Sequence, residues 1–180
     1  MNRRMVISLA AAGALAVGLI VYSVYQSLAE DSFRDCAVEI TLSKSTVKVG
    51  EPLVVTAKVT NHSWHPRVIT MHEAIQRSLI LIVREGTREV GWNRPRGYVD
   101  APPVARRRWL MPNDQITADL TVTFSLDKFG RYLANYYGKV SGSMTRPDHL
   151  KICVQALPFA AFKASAVLPI SNAAPITVTP

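Results

Sequence analysis

LVVTAKVTN, residues 53–61, places Leu53, Val55, Ala57 and Val59 on one side of an extended chain and Thr56, Lys58 and Thr60 on the other. Successive side chains of a β-strand point to opposite faces, so a period of two describes a strand with one buried face. ITADLTVTF, residues 116–124, repeats the pattern, with Ile116, Ala118, Leu120, Val122 and Phe124 facing in. Wound into a helix, either stretch would scatter its polar residues around the circumference.

The same reading extends in both directions. AVEITLS (37–43) turns Val38, Ile40 and Leu42 to one face, and VKVGEP (47–52) then turns the chain at its glycine and proline. A polar turn over 61–66 leads to a short strand, 67–70, and residues 71–77 are irregular with room for one helical turn. SLILIVR (78–84) is the most apolar strand. EGTR (85–88) reads as a hairpin turn with Gly86 at positive φ, and EVGW (89–92) returns along it. Residues 93–108 form a long connection, 109–111 a short strand, and Pro112-Asn113-Asp114 a turn. RYLANYY (131–137), 150–156 and PITVT (175–179) complete eight or nine short strands. Many short strands with regular turns and no sustained helical period predict an all-β, antiparallel β-sandwich, with a small closed barrel as competitor.

Length fits one such domain. The chain has 180 residues, of which 48% are hydrophobic and 19% charged, which excludes a disordered composition. Residues 1–29 read as a separate device: Arg3 and Arg4 precede MVISLAAAGALAVGLIVYSVY (5–25), which is free of charge. This predicts a single N-terminal apolar helix acting as a signal peptide or membrane anchor, with the domain outside. Ser27-Leu28-Ala29 suits signal-peptidase cleavage, while the length of the apolar run suits an uncleaved anchor. Residues 30–36 then form a short stalk and 37–180 the sandwich. The expected location is the bacterial periplasm or extracellular face, tethered or secreted.

The formal net charge is +8. With Arg3 and Arg4 set aside, 19 basic and 13 acidic residues leave +6 on the remainder. A basic domain outside the cytoplasm meets anionic lipid, polysaccharide or acidic protein, and export argues against nucleic acid. Cys36 and Cys153 are the two cysteines, and in an oxidising compartment they are a candidate disulfide, nominally worth roughly 4–5 kcal/mol by loop entropy.

The order VKVGEPLVVTAKVTNHS (47–63), SLILIVREGTREV (78–90), RWLMPNDQITADLTVTF (108–124), FGRYLANY (129–136) and SNAAPITVTP (171–180) resembles a bacterial extracytoplasmic immunoglobulin-like domain. It is similar to the β-sandwich of the BsuPI-type proteinase-inhibitor family. The matching stations are Gly50-Glu51-Pro52, Asn61, Gly86, Pro112, Gly130-Arg131-Tyr132 and Ser171-Asn172. The resemblance implies an immunoglobulin-like architecture and suggests proteinase inhibition as one function, but none of these stations is a family active site. Residues 138–168 depart from the pattern by being longer and more irregular.

A search for chemistry finds no nucleophile elbow around Ser143, no phosphate loop and no carboxylate pair, so no enzyme and no cofactor are expected. His62 and His65, spaced H-x-x-H, with Met71 and His72 beyond, are a weak candidate set for a copper site in an exported protein. Asn61-His62-Ser63 matches a glycosylation acceptor. The stronger feature is NRPRGYVDAPPVARRR (93–108), with five arginines and one acid. Arg94, Arg96, Tyr98, Arg106, Arg107, Arg108 and the flanking Trp109 combine arginine with aromatic surface, the composition of interface anchors. They predict a non-catalytic binding or scaffold module that engages an acidic protein or envelope polymer. A second candidate is the apolar run 156–162.

Overall fold

A computed structural model describes residues 12–24, 33, 35–72, 75–92, 105–136, 143–156 and 168–180. Eleven strands lie among them: β1 (Cys36–Leu42), β2 (Thr46–Lys48), β3 (Pro52–Asn61), β4 (Arg67–His72), β5 (Leu79–Glu85), β6 (Arg88–Trp92), β7 (Ala105–Leu110), β8 (Gln115–Leu126), β9 (Tyr132–Asn135), β10 (Leu150–Ala156) and β11 (Ala174–Thr179). One sheet has the order β1-β3-β8-β9, a second β2-β11-β10-β5-β6, and β4 pairs with β7 in a two-stranded ribbon. All pairings are antiparallel except β2 with β11. The expected all-β sandwich is the fold observed.

Alternation builds the core as the sequence predicts. Leu53, Val55, Ala57 and Val59 of β3 and Ile116 to Phe124 of β8 meet Leu79, Leu81, Val83, Ile152, Val154, Ile176 and Val178 from the second sheet in one buried cluster. The irregular 71–77 stretch ends in a 3-10 turn, Ile75–Ser78. Gly86 has φ 63° and Gly130 φ 72°, the left-handed values that hairpin and corner demand. Asn172 holds the outer edge of β1 from the far side of the sandwich: its Oδ1 accepts from Ile40 N at 2.9 Å and its Nδ2 donates to Ile40 O at 3.3 Å.

Packing begins ahead of β1. Phe33, which the sequence reading assigned to a stalk, is buried in the core. Asp35, at φ 61°, accepts His62 N through its backbone oxygen at 3.1 Å and forms an ion pair with the buried guanidinium of Arg67.

Two expectations are corrected. The described helix covers residues 12–24 and is exposed on every side. Among the described residues no helix is long and apolar enough to cross a membrane, which overturns the transmembrane anchor; residues 1–11 and 25–29 lie outside the described set.

The disulfide is likewise absent: Cys36 and Cys153 are both free and both buried. Alternation is the reason. Cys36 lies in the main core, at the start of β1 in the first sheet. Cys153 sits between the inward Ile152 and Val154, so it faces the opposite side of the second sheet. There it clusters with Ile80 and Ile82, and its Sγ lies 3.7 Å from Ile82 O. Burial pushes the Cys36 thiol up to about 11, with Arg67 opposing and Asp35 assisting, and burial also raises that of Cys153. Neither is a reactive thiolate near neutral pH.

Candidate binding surface

The β4–β7 ribbon carries the candidate residues that the structure describes. Register pairs Arg67 with Leu110, Val68 with Trp109, Ile69 with Arg108, Thr70 with Arg107, Met71 with Arg106 and His72 with Ala105. Sequence alone places Arg106–Arg108 at the end of a connection; in the structure they belong to a strand that begins at Ala105. A run of charge carries no strand signal of its own. The pairing comes from β4, whose Val68 and Ile69 are fully buried. Arg94, Arg96 and Tyr98 lie outside the described residues, as do positions 157–162 of the second candidate run.

Strand geometry sorts the arginines. Arg106 and Arg108 share one face of the ribbon with Ile69 and the buried Leu110, while Arg107 shares the other with Trp109 and Val68. Arg106, Arg107 and Arg108 are exposed, and Trp109 is 54% exposed above a Val68 that sees no solvent. The basic residues are thus held at fixed spacing on a backbone ladder rather than in one single-faced cluster.

Asn61 fixes the end of this ribbon. Its side chain is fully buried, and Nδ2 donates to Leu110 O at 2.9 Å, His65 O at 3.1 Å and Met111 O at 3.3 Å. Its Oδ1 accepts from Ser63 N at 2.9 Å and Ser63 Oγ at 2.6 Å. The amide of the predicted glycosylation acceptor is therefore an internal staple, with its nitrogen enclosed by carbonyls. It ties the β3–β4 turn (61–66) to the β7–β8 turn (111–114), where Asn113 N donates to Asn61 O and Asp114 Oδ2 accepts from Met111 N.

That junction displays apolar side chains the sequence reading overlooked. Trp64 is 89% exposed, its ring edge-on to His65 at 4.9 Å between centroids, and Met111 is 50% exposed. The available signal was a tryptophan set among polar residues in a turn. At the far end of β8, Phe129 is 68% exposed, with Lys128 Nζ 4.9 Å and Arg131 Cζ 5.0 Å from its ring centre.

The proposed metal ligands are not brought together. His62 and His65 stay in the β3–β4 turn, whereas Met71 and His72 occupy the far end of β4, a strand roughly 17 Å long. Among the described residues no group of three metal-binding side chains forms.

Fold and surface together define an all-β sandwich that presents a short basic ribbon beside an exposed aromatic turn. No protein-family model matches the chain, and no curated protein matches it in sequence. Among solved structures, the sporulation control protein Spo0M from Bacillus subtilis aligns with 80% of this chain and 49% of its own, at 13% identity and TM-score 0.41. A β-glucosidase from Listeria innocua, in complex with gluconolactone, aligns with 78% of this chain and 16% of its own, at 10% identity and TM-score 0.33. The chain thus spans about half the length of the first and a sixth of the second.

Proposed function

We propose that this chain is an exported, non-catalytic binding module of immunoglobulin-like character that engages an acidic protein or envelope polymer through β7. One observation carries the reading: three consecutive arginines, all exposed, stand on a paired strand beside a half-exposed tryptophan. Arginine on a rigid backbone meets carboxylates in a fixed fork geometry, with less side-chain ordering to oppose binding than on a loose loop. The immunoglobulin-like assignment rests on the order of turn and strand motifs. The outward location rests on Arg3, Arg4 and the apolar run that follows.

The test replaces Arg106, Arg107 and Arg108 with Ser. Retention on immobilised poly-L-glutamate and polygalacturonate should then shift to lower salt, with the melting temperature nearly unchanged, since exposed substitutions usually alter stability by less than about 0.5 kcal/mol. Unaltered retention removes β7 from the function.

A further inference from the structure

We infer that Trp64 and Met111 form the apolar half of this surface, and that its partner is an acidic polypeptide segment with an aromatic side chain beside its carboxylates. The inference rests on the reading of β7 as an acid-binding strand and adds the partner's chemistry. Asn61 Nδ2 bonds both His65 O and Met111 O, so the two turns lie within reach of one amide group. Trp109, two residues before Met111, lies opposite Val68, four residues beyond Trp64. Trp64, Met111 and Trp109 therefore occupy the end of the ribbon from which Arg108, Arg107 and Arg106 lead away.

A tryptophan with 89% of its surface in water contributes nothing to the core, and among the described residues no element covers it. Buried at an interface, tryptophan supplies large rigid contact area, and methionine adapts to an apolar group of any shape. Arg107, on the same face of the ribbon as Trp109, selects negative charge beside that patch. Of the polar side chains in the two turns, His62 and Asn113 are exposed while Asn61, Ser63 and Asp114 bond internally, which leaves few groups to read sugar hydroxyls and favours polypeptide over polysaccharide. Reading sugar hydroxyls requires amides, hydroxyls and carboxylates aimed outward. Asn61 is enclosed by carbonyls, Ser63 Oγ bonds Asn61 and His65 O, and Asp114 bonds Met111 N.

The experiment measures fluorescence anisotropy of three labelled probes with the full chain at fixed salt: poly-L-glutamate, a random glutamate–tyrosine copolymer, and polygalacturonate. The wild type should bind the copolymer roughly tenfold more tightly than poly-L-glutamate, the scale of one interface anchor. Trp64→Ser should bring copolymer affinity down to that for poly-L-glutamate while leaving the latter unchanged, and Met111→Ser should act in the same direction. Both positions are at least half exposed, and an unchanged melting temperature shows each variant folded. Arginine-dependent binding of poly-L-glutamate without copolymer preference, or with a preference that survives Trp64→Ser, overturns the Trp64 assignment alone. Trp64-dependent binding of polygalacturonate as tight as the copolymer's overturns the choice of polypeptide. Failure to bind any probe sinks the β7 reading and this inference together.

Discussion

β3 and β7 are both strands, yet they use the alternation of side chains in opposite ways. β3 lies between β1 and β8, paired along both edges, and its inward Leu53, Val55, Ala57 and Val59 reach the centre of the core. Among the described strands β7 pairs with β4 alone, and among its described side chains only Leu110 enters the core while Arg106 to Trp109 stay exposed. In β3 alternation separates oil from water and so determines the fold. In β7 it sets apart charges that are adjacent in sequence and so shapes a surface. Sequence periodicity reports the first use well and the second poorly, because a charged run looks alike in a strand and in a loop.

Truncating one residue of each kind should separate scaffold from surface. Leu53→Ala deletes a fully buried side chain between the two sheets. It should lower unfolding free energy by about 2–5 kcal/mol, read as a reduced urea midpoint at constant slope. Arg107→Ser on β7 should leave that midpoint in place. Equal losses would show that the ribbon carries core stability and that the division between scaffold and surface is wrong.

Asn61 tests how the two regions are joined. Asn61→Ala leaves the carbonyls of His65, Leu110 and Met111 without their shared donor and should destabilise the protein by about 1–3 kcal/mol. The loss should be local in character: hydrogen-exchange protection should fall first in β4 and β7, while β3 and β8 keep theirs. Uniform loss across all four strands would mean that the ribbon and the sandwich unfold as one unit.

The legible part of the molecule follows from the same division. The inner faces of β1, β3 and β8 were readable because each buries one side and wets the other. Gly86 and Gly130 were readable because hairpin and corner need positive φ. β2 was read as part of a turn: it is three residues long, and its partner β11 lies at the far end of the chain, a parallel pairing with no local signal. The cysteine pairing failed for a reason the sequence did contain. β5 is buried from Leu79 through Val83, a continuous apolar run that marks a strand covered on both faces. That gives the second sheet an apolar outer side, where Cys153 sits with Ile80 and Ile82, away from the core that holds Cys36. Within the candidate surface, composition identified Arg106 to Trp109. Trp64 entered only through the Asn61 staple, which joins residues some fifty positions apart and leaves no periodic trace.

A second staple is charged and lies near the surface. Glu85, at the end of β5, accepts Thr145 N at 2.8 Å, Thr145 Oγ1 at 3.1 Å and Arg146 N, and so holds the segment that leads into β10. Desolvation alone would raise its pKa. The backbone donors of Arg146 and Thr145, the threonine hydroxyl and the charge of Arg88 outweigh that and hold the carboxyl below its ordinary 4.5. A carboxylate that binds its proton less tightly when folded stabilises the native state above the unfolded value, and that contribution disappears as pH falls through the folded one. Glu85→Gln should therefore lower the melting temperature at pH 7, and the gap from wild type should close as pH drops from about 4.5 towards the folded-state value. Asn61→Ala, whose amide does not titrate, should show a gap that persists across the same range. A Glu85→Gln gap as wide at pH 3 as at pH 7 would mean that the carboxylate's charge plays no part in holding Thr145 and Arg146. The two staples would then differ in position alone, one buried beneath the ribbon and the other at the rim of the second sheet.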